Sequence, residues 1–281
     1  MKKRDVEVVV VSDIHLGTYG CHAEEILKYF KSIRPQIVVL NGDIVDIWQF
    51  RKRYWPKSHM KVVKYVMGWI AKGVQVYYVT GNHDEMMRKF VGFELGNFRI
   101  VNKIVLEIDG SKAWIFHGDV FDVTMQHSKW LAQLGAVGYD ILIFINTIVN
   151  FFSNLIGRGK ISLSKRIKER VKSAVKFINK FEQTAADIAI DSGYDYVVCG
   201  HIHQPDLREF KTEKGKTLYL NSGDWVENLT ALEYNKTQWK IYRYSDDHQA
   251  HKIPIDEADE MLNNSELFEN LLVEFDLKNR K

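Results

Sequence analysis

Val6-Glu7-Val8-Val9-Val10-Val11 runs directly into Ser12-Asp13-Ile14-His15-Leu16-Gly17. A short run of β-branched apolar residues reads as a strand buried on both faces, and the polar cluster that closes it reads as a loop at the strand's C-terminal end. The same pattern recurs along the chain. Residues 37–40 lead to Asn41-Gly42-Asp43, 74–79 to Thr80-Gly81-Asn82, and 113–116 to His117-Gly118-Asp119. Residues 196–199 lead to Gly200-His201, and 218–220 to Asn221-Ser222-Gly223-Asp224. Helical patterns at 23–33 and 61–71 separate the early runs, so the alternation is βαβ and the class α/β. Open α/β sheets place their sites at strand C-termini, where these polar residues gather. Two later runs, 229–234 and 238–244, flank the turn-like Asn235-Lys236 and predict a hairpin that closes a second sheet.

Residues 121–192 break this rhythm and carry no strand signal. Ile167, Val171, Ala174, Val175, Ile178, Phe181, Ala185 and Ile188 recur at helical spacing, and Gly193 suits the position just past a helix end. The segment therefore predicts a helical insertion, a cap or lid, within a domain spanning 1–244, with a C-terminal tail at 245–281.

The chain has 281 residues, 46% of them hydrophobic, enough for one large core with an insertion. Sparse Gly and Pro exclude fibrous and disordered classes. Cys21 and Cys199 have no CxxC spacing, which leaves out zinc knuckles, thioredoxin motifs and a disulfide framework and makes a reducing cytosol the default. Residues 8–11 are too short for a secretory h-region. The net charge of +3 conceals a basic block at 158–180, where nine Lys and Arg face only Glu169. Such a block predicts an anionic partner: a phosphate-bearing substrate, an anionic lipid or nucleic acid.

Hard divalent cations need carboxylate, amide or imidazole ligands on short rigid loops. Asp13-Ile14-His15 places two such groups on one face if the segment is extended, and His201-Ile202-His203 does the same. Asp43, Asn82 and His117 each follow an apolar run. Five loops thus bring seven ligand-competent groups to one rim. With one group bridging, they suit two metals roughly 3.5–4 Å apart holding a shared water. A single histidine reads equally well as a hydrogen-bonded core residue; the ordered set carries the signal.

That set is Asp13-x-His15, Gly42-Asp43-x-x-Asp46, Gly81-Asn82-His83-Asp84, His117-Gly118-Asp119 and Gly200-His201-x-His203. It resembles the calcineurin-like metallophosphoesterase superfamily over residues 6 to 244. The resemblance implies a four-layer αββα sandwich with a metal-dependent hydrolase site at one end. It implies that Asp13, His15, Asp43 and His203 hold one metal and Asp43, Asn82, His117 and His201 the other. The metals would be manganese, iron or zinc, with manganese expected. His83 has no ligand role in that scheme; it reads as a group that protonates a leaving oxygen or contacts phosphate, or else as one that only hydrogen-bonds a metal ligand. Asp84 is the expected acid beside it, with Asp46 as the alternative. Asp46 and Asp119 otherwise read as loop-shaping groups that support the ligands.

Within the superfamily the chain is similar to the bacterial UDP-2,3-diacylglucosamine hydrolases of lipid A synthesis. The similarity lies in Ser12-Asp13-Ile14-His15-Leu16-Gly17, the His117 segment, the helical insertion and Asn221-Ser222-Gly223-Asp224-Trp225. It implies cleavage of a pyrophosphate in a nucleotide-linked glycolipid by a metal-bridging hydroxide, releasing UMP and a lipid monophosphate at the inner face of the cytoplasmic membrane. With it go Asp122, Lys165 and Arg166 as substrate contacts. The typical hydrolase has Arg where this chain has His83, and histidine there is shared with nucleases and phosphatases. Residues 139–156 set a broad apolar face beside the basic block, the pattern of an interfacial helix or lipid-chain cover on an anionic membrane; an ordinary buried helix reads the same way. Arg51, Lys52, Arg53, Tyr54 and Trp55 are candidates to bind phosphate and stack a base, or form a solvated basic loop. A nuclease or other phosphodiesterase is the second expectation, though the apolar helix argues against nucleic acid. A non-catalytic scaffold is the third.

Overall fold

The structure, a computed structural model, describes residues 3–47, 55–121 and 163–255, the side chains of 163–174 excepted. The chain divides into two compact units, residues 1–118 with 189–281 and residues 119–188. The first is built on two mixed sheets.

Strands β1 (Arg4–Val11), β2 (Ile33–Asn41), β3 (Gln75–Val79) and β5 (Phe98–Val101) run parallel in the larger sheet; with β4 (Glu94–Leu95), β11 (Thr230–Asn235) and β12 (Gln238–Arg243) its order is β12-β11-β1-β2-β3-β5-β4. Helices α1 (Ala23–Ser32) and α2 (Lys57–Ala71) make the crossovers between the first three strands. The smaller sheet has the order β6-β7-β8-β10-β9, from β6 (Lys103–Ile108), β7 (Ser111–Phe116), β8 (Tyr196–Cys199), β9 (Asp206–Thr212) and β10 (Gly215–Asn221).

The valine run of β1 shows why the layers form. Val9 and Val11 face Ile26, Leu27, Phe30 and Trp69 of the two helices. Val8 and Val10 face the other way, into a second core with Leu106, Ala113, Ile115, Val198 and Leu220 of the smaller sheet. Alternation along one buried strand thus joins a helix layer, the larger sheet and the smaller sheet, and each fully buried Val adds about 1.5–3 kcal/mol of apolar burial.

The predicted hairpin is present as β11 (Thr230–Asn235) and β12 (Gln238–Arg243), but it does not close a second sheet. Antiparallel pairing of β11 with β1, Val9 opposite Glu233, extends the first sheet. Glu94–Leu95 (β4), β5, β6 and β9 are strands the sequence pattern had not indicated. Beyond residue 121 the described part of the other unit is α3 (Leu163–Asp191), which runs on into the first unit. Gly193 follows it at φ +69°, the left-handed turn that favours glycine after a helix.

Candidate metal centre

The parallel strands β1, β2 and β3, together with β7 and β8, all end at one rim. Asp13 and His15 follow β1, Asp43 follows β2, Asn82 and His83 follow β3, His117 follows β7, and His201 and His203 follow β8. In each of two groups the potential ligand atoms all lie within 4.8 Å of one another: Asp13, His15 and His203 form one, and Asp43, His117 and His201 the other. A third, His15, Asp46 and His83, shares His15 with the first. The His117 and His201 rings are 5.2 Å apart between centroids. Asn82 sits in the turn between Gly81 and His83.

The backbone reaches this arrangement by a route that strand alternation did not anticipate. Asp13, His15, Asp43, His201 and His203 all have positive φ, between 52° and 66°. Side chains of L-residues disfavour that region, and non-glycine residues held there cluster at functional sites. The Asp13-x-His15 and His201-x-His203 pairs are therefore not extended dipeptides with alternate faces. Each loop curls, and backbone bonds to its neighbours fix the curl: Asp13 N–H to Gly42 O at 3.0 Å, and His15 N–H to Asp43 O at 3.0 Å. Gly42, at φ +79°, lies so close to the His117 ring that a Cβ would collide with it. A Cβ on Gly200 would meet Ser12 and Asp13.

Hydrogen bonds behind the rim orient the donors. His117 Nδ1 donates to Asn41 O at 2.8 Å, which turns Nε2 toward Asp43 Oδ2, 3.3 Å away. His15 Nδ1 meets Asp46 Oδ2 at 3.2 Å, leaving Nε2 as its lone-pair nitrogen. Histidines that bind metals are held in this way through their second nitrogen. His203 Nε2 is 3.1 Å from Asp13 Oδ1. Asp13 Oδ2 accepts from His201 N–H at 3.1 Å, and Asp43 Oδ1 from His83 N–H at 2.8 Å. The Asn221–Asp224 loop braces the rim. Ser222 Oγ is 2.6 Å from Ser12 Oγ, and Asn228, itself bonded to Asp224, donates to His203 O at 2.9 Å. The sequence had shown that loop as a polar cluster without giving it this role.

His15 Nε2 and Asn82 Oδ1 are buried with no hydrogen-bond partner. Leaving such atoms unsatisfied costs about 1–3 kcal/mol each, so their convergence beside two buried carboxylates fits a cation site. The electrostatics agree. Burial opposes the charge on Asp13, yet His203, His117 and His15 hold its carboxyl well below the usual carboxylate range. Asp43 is likewise lowered, chiefly by His117, against its burial. His203 is raised to about 9: burial works against its proton, and Asp13, Asp224 and Asp43 together outweigh the burial. The His203 proton takes a position of positive charge from which a bound cation would displace it. Imidazole, carboxylate and amide donors suit manganese, iron or zinc.

The carboxylate facing His83 is Asp46, not Asp84. Asp46 Oδ2 lies 2.9 Å from His83 Nδ1. Asp84 is occupied with the loops themselves, accepting from Gly81 N–H at 2.6 Å, Ile44 N–H at 3.0 Å and Tyr78 Oη at 2.6 Å. Burial, with Asp43 nearby, raises the Asp84 carboxyl. Asp119 opens a short 3-10 turn, Asp119–Phe121, in the other unit. Trp55 packs beside the helix–sheet core. Asp122, Arg51, Lys52, Arg53, Tyr54 and residues 139–156 lie outside the described residues; Lys165 and Arg166 lie in α3, their side chains outside that description.

The profile of the calcineurin-like phosphoesterase family matches residues 6–205. The chain is 22% identical over 249 residues to the UDP-2,3-diacylglucosamine hydrolase of Aliivibrio fischeri (strain MJ11), covering 84% of this chain and 98% of that protein. It is 21% identical over 253 residues to the protein of the same name from Blochmanniella pennsylvanica (strain BPEN), covering 82% and 93%. A solved phosphoesterase from E. coli aligns over 85% of this chain and 93% of its own, with 16% identity and a TM-score of 0.44.

Proposed function

The chain belongs to the calcineurin-like phosphoesterase family and is a metal-dependent hydrolase, and from that premise we propose that it cleaves the pyrophosphate of UDP-2,3-diacylglucosamine to UMP and a lipid monophosphate. The carrying observation is the extent of the likeness to the hydrolases of that name. An alignment covering 84% of the chain necessarily runs through the segment between β7 and β8, so it takes in more than the metal loops.

In this reading Asp13, His15 and His203 would hold one divalent ion and Asn82, His117 and His201 the other, with Asp43 available to both. Manganese is the first candidate. Bound there, two ions would lower the pKa of water and offset charge on the phosphoryl oxygens. The chain's own residues do the rest. The curled loops and the bonds behind them fix the donors before substrate arrives. Asp46 holds the Nδ1 proton of His83 and leaves Nε2 to face substrate. Burial works against a proton on His83, but Asp46 and the neighbouring carboxylates raise its pKa. A protonated imidazole at that position would give its proton to the leaving oxygen.

Asp122, Lys165 and Arg166 are the proposed contacts to the substrate's phosphates, carried on an insertion at 121–192. That insertion would hold the acyl chains and place the protein at the inner face of the cytoplasmic membrane. No described helix is long and apolar enough to cross a membrane. The test is release of UMP from UDP-2,3-diacylglucosamine, after chelation and return of manganese, zinc or iron, beside single-stranded DNA. Metal-dependent UMP release supports the assignment. Cleavage of DNA without UMP release would establish the second reading, a nuclease, which His83 and the basic block at 158–180 favour.

A further inference from the structure

The end of the larger sheet opposite the metal centre holds a groove of about 1010 Å³ between α1, α2 and the first residues of β2. That is the size of a large ligand pocket. Lys3, Lys31, Arg34, Lys61, Lys64 and Lys72 line it, and among the described lining residues there is no carboxylate. Its floor is apolar: Leu27, Trp69 and Val74. Lys61 is only 6% exposed. The wall at Lys3 is tied, since its Nζ donates to Tyr65 Oη at 2.8 Å. Arg34 leans outward at the rim, 3.5 Å from Asp5.

The chain itself arrives at this groove. Lys31 Nζ is 3.4 Å from Pro254 O, and Ile255 packs on the helix–sheet core. The 26 residues that follow carry eight Asp and Glu against three Lys and Arg. Among them Phe268, Leu271, Leu272 and Phe275 recur at the spacing of one helix face.

We propose that the acidic C-terminal segment, residues 256–281, docks in this groove of its own chain, its carboxylates on the lysines and its apolar face on the floor. Three observations converge on that occupant rather than a small anion or a second protein. The segment begins at the groove's edge, its charge is opposite, and its apolar pattern matches an apolar floor. Tethering makes the encounter intramolecular, at an effective concentration of order mM for a short link, so modest contacts suffice. The inference is independent of the substrate assignment.

Zero-length carbodiimide cross-linking of the full chain tests it, on a dilute equal mixture of isotopically labelled and unlabelled protein. The expected result is links within single chains from Lys31, Lys64 or Lys72 to carboxylates of 256–276. Lys64→Glu with Lys72→Glu should lower their yield several-fold and speed amide exchange in α2. High salt should lower the yield as well. Metal-dependent hydrolysis by that variant should stay unchanged, which shows that it has folded. Links found only between labelled and unlabelled chains would overturn the proposal in favour of a second copy. An absence of links, with the segment's carboxylates freely capped by an added amine, would overturn it outright.

Discussion

Asp46 Oδ2 lies 2.9 Å from His83 Nδ1, and the same oxygen lies 3.2 Å from His15 Nδ1. One buried carboxylate therefore orients both a proposed metal ligand and the proposed acid. Replacing His83 should separate those functions, and replacing Asp46 should impair both. His83→Ala should retain two metals and lose turnover by about 10²–10⁴-fold, the range for a general acid. Asp46→Asn should lower activity about 10–100-fold and weaken metal affinity too, because His15 loses its orienting acceptor. Turnover on the proposed substrate and metal content by elemental analysis check both. A His83→Ala protein with full turnover, or one stripped of metal, defeats the assignment.

Asp43 contacts two arms of the rim, His117 through Oδ2 and the His83 amide through Oδ1. Asp43→Ala should abolish activity and reduce bound metal below two ions per chain. Removing a bridging carboxylate takes a ligand from both ions and leaves positive charge uncompensated. Two tightly bound ions in an active Asp43→Ala protein would refute the bridging role.

His59 offers a pH test away from the ligands. It is buried, its Nδ1 accepts the Gly17 N–H at 2.8 Å, and burial lowers its pKa to about 4. The folded chain therefore binds this proton less readily than the unfolded chain, whose histidine titrates near 6.5. The stability that His59 confers is complete above pH 6.5 and is lost as pH falls toward 4, by on the order of 2–3 kcal/mol. His59→Gln keeps an acceptor for Gly17 and does not titrate. Denaturant unfolding from pH 7 to pH 4 should give a shallower loss for the variant. Parallel slopes for the two proteins would exclude His59 as the source.

The lipid assignment has its own test in residues 139–156. Phe144, Ile148, Phe151 and Phe152, all replaced by Ser, should release the protein from anionic liposomes. Cleavage of the diacylated substrate should fall more than cleavage of a soluble nucleotide diphosphate, since the metal loops are untouched. High salt should weaken wild-type binding through the basic block. Equal loss on both substrates, with a lowered melting temperature, would make these residues ordinary core.

The strand ends were legible because a doubly buried run such as residues 8–11 has few other readings, and because polar residues after it need a reason. What stayed hidden depends on pairing. The hairpin β11–β12 shows in its own turn, but only contact with β1 assigns it to the larger sheet. β6 does carry a short apolar run, Ile104-Val105-Leu106, but Lys103 and Glu107 flank it and its positions alternate between exposed and buried, so no polar site loop marks its end. Asp84 was favoured as the partner of His83 because it is next in sequence. Bridge pairing of Leu16 with Val45 folds the Asp43 loop back, and that brings Asp46 to the histidine instead. The left-handed conformations of Asp13 and His15 are compatible with their residue types, which are enriched at positive φ, but that preference is too weak to predict the curl without the neighbouring loops.

Those conformations set folding and function against each other. Each of Asp13, His15, Asp43, His201 and His203 holds a backbone shape that costs about 1–2 kcal/mol for an L-residue other than glycine. Glycine would relieve that strain and remove a ligand in the same step. A library screened only for heat resistance would therefore drift toward glycine at these five positions and collect sturdy, inactive proteins. Selection for thermostability in this fold needs turnover scored in every round, with the five positions held constant.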